Sequence, residues 1–321
     1  QIVYSMNQKN YTRTVGIFGG SGFVGEAIIE RLAKTNLKLK IATRKPYLSQ
    51  HLKVYGDIGQ IELVKIDIAS TLSIESFIQD CDICINLIGI LFEKRTQKFK
   101  ALHTDFPKQL ATAFSKISKD GMLIHFSALG VKEHSQSQYI VSKYLGEQEV
   151  KTNFVNSVIM KPSIIVGPKD NFFNMFAKLI NLLPVIPLVG AETKFQPVYV
   201  GDVAEAVHYI IQNNIKNETF EIAGNKIFTF KELIELLLKE IRKKRLIIPI
   251  PFSVGKIQAF IFQLMPKPIL TVDQVTILEE GNNIVSGNFK TLKDLNILPQ
   301  SIESAISSYL KIYRPKGQFS E

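Results

Sequence analysis

A chain of 321 residues exceeds one ordinary domain, and 45% hydrophobic with 21% charged residues excludes a disordered or fibrous polymer. The formal net charge of +10, from 39 Lys and Arg against 29 Asp and Glu, admits an anionic partner: a lipid surface, an acidic protein or a nucleic acid. No apolar run reaches the ~18 to 20 residues that cross a bilayer, because 179–191 is broken by Pro184 and Pro187, and 246–265 by Pro249, Pro251 and Lys256.

Residues 1–14 lack the apolar core of a secretory signal and contain only one arginine, Arg13, so they read as neither signal nor presequence, and Met6 is a candidate native start. An apolar run at 15–18 then meets a Gly-rich turn and a helical pattern at 23–32. Further strands are expected at 37–43, 61–66 and 83–88, with room for a crossover helix around 74–77. A long helix at 105–117 leads to a fifth strand at 122–126, a helix at 138–150 and a sixth strand at 157–160. Strands alternating with helices imply a parallel sheet wound by right-handed crossovers and covered on both faces, a Rossmann-type doubly wound α/β fold. The nucleotide-binding domain is expected over 12–168. After Pro168 the helices shorten between prolines and glycines, with strand-like pieces at 196–200 and 220–222, so 169–321 is expected to form a smaller substrate or partner lobe that returns elements to the core.

The strongest local signal is Gly19-Gly20-Ser21-Gly22-Phe23-Val24-Gly25. It satisfies G-x-G-x-x-G directly between the first strand and the first helix. The early glycines allow a tight turn and close approach to a pyrophosphate, the last allows helix to pack on strand, and the helix N-terminus offers free N–H groups. About 20 residues further on, where an acidic residue holds the ribose of NAD, the chain has Thr43-Arg44-Lys45. A guanidinium there suits a 2′-phosphate, so NADPH is expected rather than NADH. Asp67 and Ile68 are expected by the adenine, and Asn86, Leu87, Ile88 and Gly89 beneath the pyrophosphate and ribose.

A second constellation is Ser127, closing the fifth strand, followed by Tyr139 and Lys143 on the next helix. At i and i+4 the last two share a helix face. An ammonium beside a phenol favours phenolate, which would let Tyr139 act as acid or base while Ser127 binds the reacting oxygen. Alone, Tyr-x-x-x-Lys has little weight in a Lys-rich chain; the order of strand, Ser, Tyr and Lys supplies it. Cys81 and Cys84 have neither a second pair for zinc nor a helix start for redox work, so no metal is expected, and Cys84 reads as a buried strand thiol in a reducing compartment.

The densest basic cluster, Arg242-Lys243-Lys244-Arg245, follows the amphipathic stretch 230–241. Its first reading is a set of cations at a helix C-terminus, complementing the last carbonyls. The second is a contact for phospholipid or an acidic subunit, since strongly apolar sequence follows at 246–270. Nucleic acid is not expected, for want of interleaved aromatic and basic residues or a recognition helix.

Together these motifs resemble the short-chain dehydrogenase/reductase superfamily in its extended or atypical branch. More narrowly, His125-Phe126-Ser127-Ala128-Leu129-Gly130, Lys161-Pro162-Ser163-Ile164-Ile165-Val166-Gly167-Pro168, Asn171-Phe172-Phe173-Asn174 and Phe195-Gln196-Pro197-Val198-Tyr199-Val200-Gly201-Asp202-Val203-Ala204 resemble the NADPH-binding accessory subunits of respiratory complex I and their bacterial relatives. The resemblance implies bound NADPH and a structural or assembly role, on complex I subunits or the membrane surface. It implies a cytoplasmic or peripheral inner-membrane location, on the matrix side in a eukaryote. The implied cofactor set is Gly19, Gly20, Ser21, Gly22, Phe23, Val24, Gly25, Arg44, Lys45, Asp67, Ile68, Leu87, Ile88, Gly89, Ser127, Tyr139, Lys143, Lys161, Pro162, Ser163 and Ile164. Mitochondrial accessory subunits commonly lack the whole enzymatic set, whereas Ser127, Tyr139 and Lys143 are all present here. That keeps a second expectation open, an NADP-dependent reductase or epimerase acting on a small molecule such as a quinone precursor or nucleotide sugar.

Overall fold

The computed structural model of the chain describes residues 11–265 and 268–315, so the reading of Met6 and its neighbours lies outside the described residues. Strand β1 (Arg13–Phe18) turns through the glycines into helix α1 (Phe23–Leu32), which buries Gly25, Ile28, Ile29 and Leu32 on one stripe. Each of the larger three removes about 1.5 to 3 kcal/mol of apolar surface from water. Next come β2 (Leu37–Thr43), β3 (Ile61–Lys65), α2 (Thr71–Ile78) and β4 (Ile83–Asn86). Helix α3 (Phe106–Ile117) is entered through one π-helical segment, Lys100–Asp105, and followed by β5 (Met122–Phe126), α4 (Gln138–Asn153) and β6 (Ser157–Pro162).

The rest of the chain builds both layers. Strand β7 (Ile165–Val166), α5 (Phe173–Leu182), β8 (Val185–Val189) and β9 (Lys194–Phe195) lead to β10 (Val198–Tyr199), α6 (Val200–Gln212) and β11 (Glu218–Ile222). Strand β12 (Phe228–Thr229), α7 (Phe230–Glu240), β13 (Leu246–Ile250), α8 (Phe252–Phe262) and α9 (Val272–Glu280) follow, then β14 (Lys290–Thr291) and α10 (Ile302–Ser307).

One eight-stranded sheet runs β14-β11-β6-β5-β4-β1-β2-β3. Every pair in it is parallel, with Val15 opposite Leu39 on one side and Ile83 on the other. The chain winds outward in both directions from β1, so a crevice opens at the carboxyl ends of β1 and β4, where such sheets bind ligands. Two apolar clusters cover the two faces: Ile28, Ile29 and Leu32 with Val203, Val207 and Ile210 of α6 on one, Phe106, Leu110 and Phe114 of α3 with Val150 of α4 on the other. Cys81 and Cys84 lie buried in the second, and burial pushes the Cys84 thiol up.

Two expectations need correction. The strand read at 196–200 shrinks to β10, because Pro197 offers no N–H and Phe195 pairs instead with Phe228, while Val200 already opens α6. In the basic cluster, Arg245 caps a helix other than the one preceding it: its Nε donates to Leu183 O (2.8 Å) and Ile180 O (3.2 Å) at the end of α5.

Candidate functional site

The turn after β1 is tight because Gly19 takes φ +83° and its carbonyl accepts from Gly22 N at 3.1 Å. A Cβ on Gly19 would sit 3.1 Å from the Leu87 carbonyl carbon and 3.2 Å from Ile88 N, so the turn and the end of β4 approach as closely as backbone allows. The N-terminus of α1 has no side-chain cap, in contrast to α2 and α4, capped by Ser70 and Ser137. Ser21 and Gly22 are exposed in front of it, with Phe23 and Val24 half-buried in its first turn. The free first-turn amides and the helix dipole make this the natural seat of a phosphate.

Along the same rim, Arg44 and Lys45 are exposed where β2 ends, and the Arg44 guanidinium makes no hydrogen bond or ion pair among the described residues. Asp67 follows β3, exposed, with Oδ1 accepting from Ala69 N at 3.0 Å, and Ile68 is half-buried beside it. Thus the order phosphate cradle, Arg44, Asp67 follows the order β1, β2, β3 at one edge of the crevice.

On the other side stands a buried polar cluster. Leu87 N donates to Phe18 O and Ile88 N to Asn86 Oδ1, which turns Asn86 Nδ2 toward His125 Nδ1 at 3.1 Å. The proton of His125 therefore sits on Nε2. His103, in the π-helical segment, accepts from Ile90 N at Nε2 (3.0 Å), so its Nδ1–H donates to Ser142 Oγ (3.0 Å), which in turn donates to Tyr139 O. Burial and the Lys143 charge hold both imidazoles neutral, His103 pushed down to about 2 and His125 to about 3. Lys143 Nζ donates to Phe126 O at 3.0 Å, and a Cβ on Gly89 would lie 3.2 Å from it. Lys143 is lowered to about 8 by burial, against the attraction of Glu147.

Tyr139 packs edge-on against His103 (5.4 Å) and Phe99 (5.8 Å). Its phenol is raised to about 12 by burial, with Asp273 adding to the effect. The expected lowering of this phenol by Lys143 is not found, because the ammonium is turned to the Phe126 carbonyl. Ser127 Oγ is buried at the end of β5 with no hydrogen-bond partner among the described residues.

Two implied cofactor residues have their side chains engaged elsewhere. The Lys161 ammonium lies 3.5 Å from Glu147 Oε1 in a buried ion pair and 5.2 Å from the Phe289 ring. Ser163 Oγ donates to Asn283 Oδ1 at 2.6 Å, so it anchors the segment after α9. Both offer a ligand only backbone, as does Pro162, while Ile164 is half-buried against the second lobe. Sequence reasoning also missed a clamp from α9. Asp273 accepts from Ser137 Oγ and Gln138 N, both at 2.8 Å, and from Tyr139 N at 3.3 Å, while Glu280 accepts from Ser135 Oγ and Gln136 N. Those two carboxylates hold the start of α4, and hence Tyr139, from 134 to 145 residues away in sequence.

A doubly wound parallel sheet with a glycine-rich turn at its switch point defines a Rossmann-type α/β fold. Residues 15–223 match the NAD dependent epimerase/dehydratase family, and the chain belongs to it. Among its relatives is the mitochondrial NADH-ubiquinone oxidoreductase 40 kDa subunit of Neurospora crassa, 30% identical over 308 residues that cover 95% of this chain and 81% of that one. The mitochondrial NADH dehydrogenase (ubiquinone) 1 alpha subcomplex subunit 9 of Arabidopsis thaliana is 29% identical over 314 residues, 94% of this chain and 78% of that one. These kinships bear out the resemblance read from the motifs. A solved dTDP-glucose 4,6-dehydratase from Bacillus anthracis, in complex with NAD, superposes with a TM-score of 0.69 over 94% of this chain and 96% of that one at 15% identity, a likeness of fold.

Proposed function

We propose that the chain is an NADPH-binding accessory or assembly protein of respiratory complex I, which uses the coenzyme to stabilise its fold. The observation that carries the nucleotide half is the uncapped, glycine-lined start of α1 beside Arg44, exposed at the end of β2 and unpaired among the described residues. The relatives named above support the partner half. NADPH titrated into the purified chain is expected to raise its melting temperature and quench or shift coenzyme fluorescence; the absence of both changes would sink the reading. Arg44→Ser removes a charge-assisted bond of about 1.5 to 3 kcal/mol, so NADPH affinity should fall roughly ten- to a hundredfold while NADH affinity barely moves. Equal losses for both coenzymes would show that Arg44 does not read the 2′-phosphate.

The docking element we infer is α8. Val254, Ile257, Phe260 and Ile261 recur along it at helical spacing and project into solvent, 43%, 64%, 65% and 58% exposed, while Gly255 and Ala259 face inward. An apolar helix face this open needs a cover. With the neighbouring basic segment 242–245 it is suited to complex I subunits near the membrane surface, on the matrix side in a eukaryotic cell. Ile257→Glu with Phe260→Glu is expected to abolish co-migration with complex I in mild detergent and leave NADPH binding intact. Undiminished co-migration would move the interface elsewhere.

A second reading, an active NADP-dependent reductase or epimerase, is favoured by Ser127 Oγ, a buried hydroxyl without a partner among the described residues. A bound nicotinamide would supply hydride transfer. Tyr139, held as the neutral phenol, suits proton donation to a carbonyl oxygen better than proton abstraction. Under this reading Tyr139→Phe abolishes turnover of candidate substrates with NADPH affinity nearly unchanged, and unchanged turnover removes the mechanism.

A further inference from the structure

Helix α8 has its amphipathicity reversed. Its exposed residues are Ser253, Val254, Ile257, Phe260 and Ile261, one hydroxyl and four apolar side chains without a charge, where a helix facing water carries its polar residues. Packing fixes this orientation. A Cβ on Gly255 would stand 2.6 Å from Val189 Cγ2, so it is the small residues Gly255 and Ala259 that let the helix lie close on the end of β8. The chain on either side continues the pattern. Leu264 and Met265 follow α8 in the open, and in β13 the exposed Leu246 and Ile248 share one side of the strand, paired in register with Val185 and Pro187 of β8.

Charge along this stretch has one sign. From Ile241 to Val272 the sequence holds six cations, Arg242, Lys243, Lys244, Arg245, Lys256 and Lys267, and no Asp or Glu. Lys256 is offset by Glu279 of α9. Lys243 donates to Asn181 Oδ1 and Arg245 to the Ile180 and Leu183 carbonyls, all neutral acceptors, so these contacts leave both charges in place, and Lys244 is exposed. The same contacts set the cations beside Leu182 and Leu183, themselves exposed at the end of α5.

We propose that this surface, α8 with the exposed side of β13 and the cations at 242–245, docks on an anionic phospholipid bilayer. The proposal rests on the docking of α8 inferred above and narrows its cover to the lipid around complex I, in place of one of its subunits. Two observations decide between these covers. A protein interface makes about one hydrogen bond per 100 to 200 Å², whereas the exposed residues of α8 offer a single hydroxyl, and acyl chains need none. A segment with cations and no anion suits headgroup phosphates, with Lys and Arg reaching the headgroups while the apolar side chains enter the acyl boundary. At 11 residues α8 is too short to cross a bilayer, so it lies along the surface.

Co-flotation of the full chain with vesicles tests this. Binding to vesicles of phosphatidylcholine and phosphatidylglycerol in equal parts is expected to be at least about tenfold tighter than to phosphatidylcholine alone. It should weaken as salt shortens the screening length from about 8 Å at ~0.15 M to about 3 Å at ~1 M. Lys244→Glu reverses one exposed charge and should weaken binding to the mixed vesicles roughly tenfold or more, with the melting temperature of the free chain unchanged. Because the sequence contains no Trp, Phe260→Trp puts a single indole on the face, and its emission should shift to the blue on the mixed vesicles. No co-flotation at low salt, or an indole that stays in water while the chain floats, overturns the proposal. So does loss of complex I co-migration in Ile257→Glu with Phe260→Glu when the unsubstituted chain ignores vesicles, since the cover is then a protein subunit. Co-flotation by a chain that never co-migrates with complex I supports the lipid surface and removes the partner half of the proposed function.

Discussion

Gly25→Ala is expected to weaken NADPH binding by at least about a hundredfold, the cost of displacing a reacting or binding group by roughly 1 Å. A Cβ at this position would stand 2.6 Å from Gly19 O and from Gly20 Cα, and 2.7 Å from the Gly20 carbonyl carbon. All three are backbone of the phosphate turn, so no rotamer change relieves the overlap. Helix α1 must back away from β1, and its first-turn amides go with it. The same movement loosens Ile28, Ile29 and Leu32 in the core, which should lower stability by about 1 to 3 kcal/mol. Gly22→Ala is the graded comparison. There the nearest atom to a new Cβ is Gly19 O at 3.3 Å and φ is an ordinary −85°, so a much smaller loss follows. Isothermal titration with NADPH and urea unfolding of both variants decide the matter, and equal losses at the two positions would refute the steric account.

That prediction was available from sequence because the turn is local. Seven consecutive residues contain the reason for their own conformation, and the helix behind them and the second strand fell where the apolar spacing put them, at Phe23–Leu32 and Leu37–Thr43. Arg44 was legible for the same reason, since its place at the end of β2 follows from counting along one βαβ unit. What could not be read was whatever a distant segment supplies. Nothing near Lys161 announces that Glu147 will take its charge, because the pair forms only once β6 lies beside β5 under α4. The Ser163 hydroxyl is spent on Asn283, 120 residues away, and Asp273 reaches the start of α4 from across the second lobe. Tyr139 was expected to feel Lys143, yet burial dominates and the ammonium finds a carbonyl instead. His103 had a faint signal, a histidine just ahead of an amphipathic helix, but the π-helical segment that turns it inward has no sequence mark of its own.

The histidines missed from sequence govern the second large effect, a steep loss of stability in mild acid. In the folded chain His103 and His125 are held neutral, down to about 2 and about 3, whereas in the unfolded chain each titrates near 6.5. Between about pH 6.5 and pH 3 the unfolded state therefore binds two more protons than the folded state. Stability is complete above 6.5 and falls as pH drops, by about 1.4 kcal/mol per pH unit for each histidine. At pH 5 the two together remove roughly 4 kcal/mol, a large part of the ~5 to 15 kcal/mol that holds an ordinary domain together. Carboxylates with lowered values, such as Glu205 held by Arg31, join in only below about 4.5, so the window from 6.5 to 5 isolates the imidazoles. Lys143 has the same sign in a different window, since its lowered value makes stability rise only as pH climbs from about 8 toward 10.5. Urea unfolding measured at half-unit steps from pH 7 to pH 5 should show a slope approaching two protons. His125→Asn should halve that slope, whatever it does to stability at pH 7, because one of the two suppressed protonation sites is gone. A flat profile between 6.5 and 5 would mean that neither ring is kept neutral by the packing of α4 on the sheet, and a slope untouched by His125→Asn would mean that His125 is not.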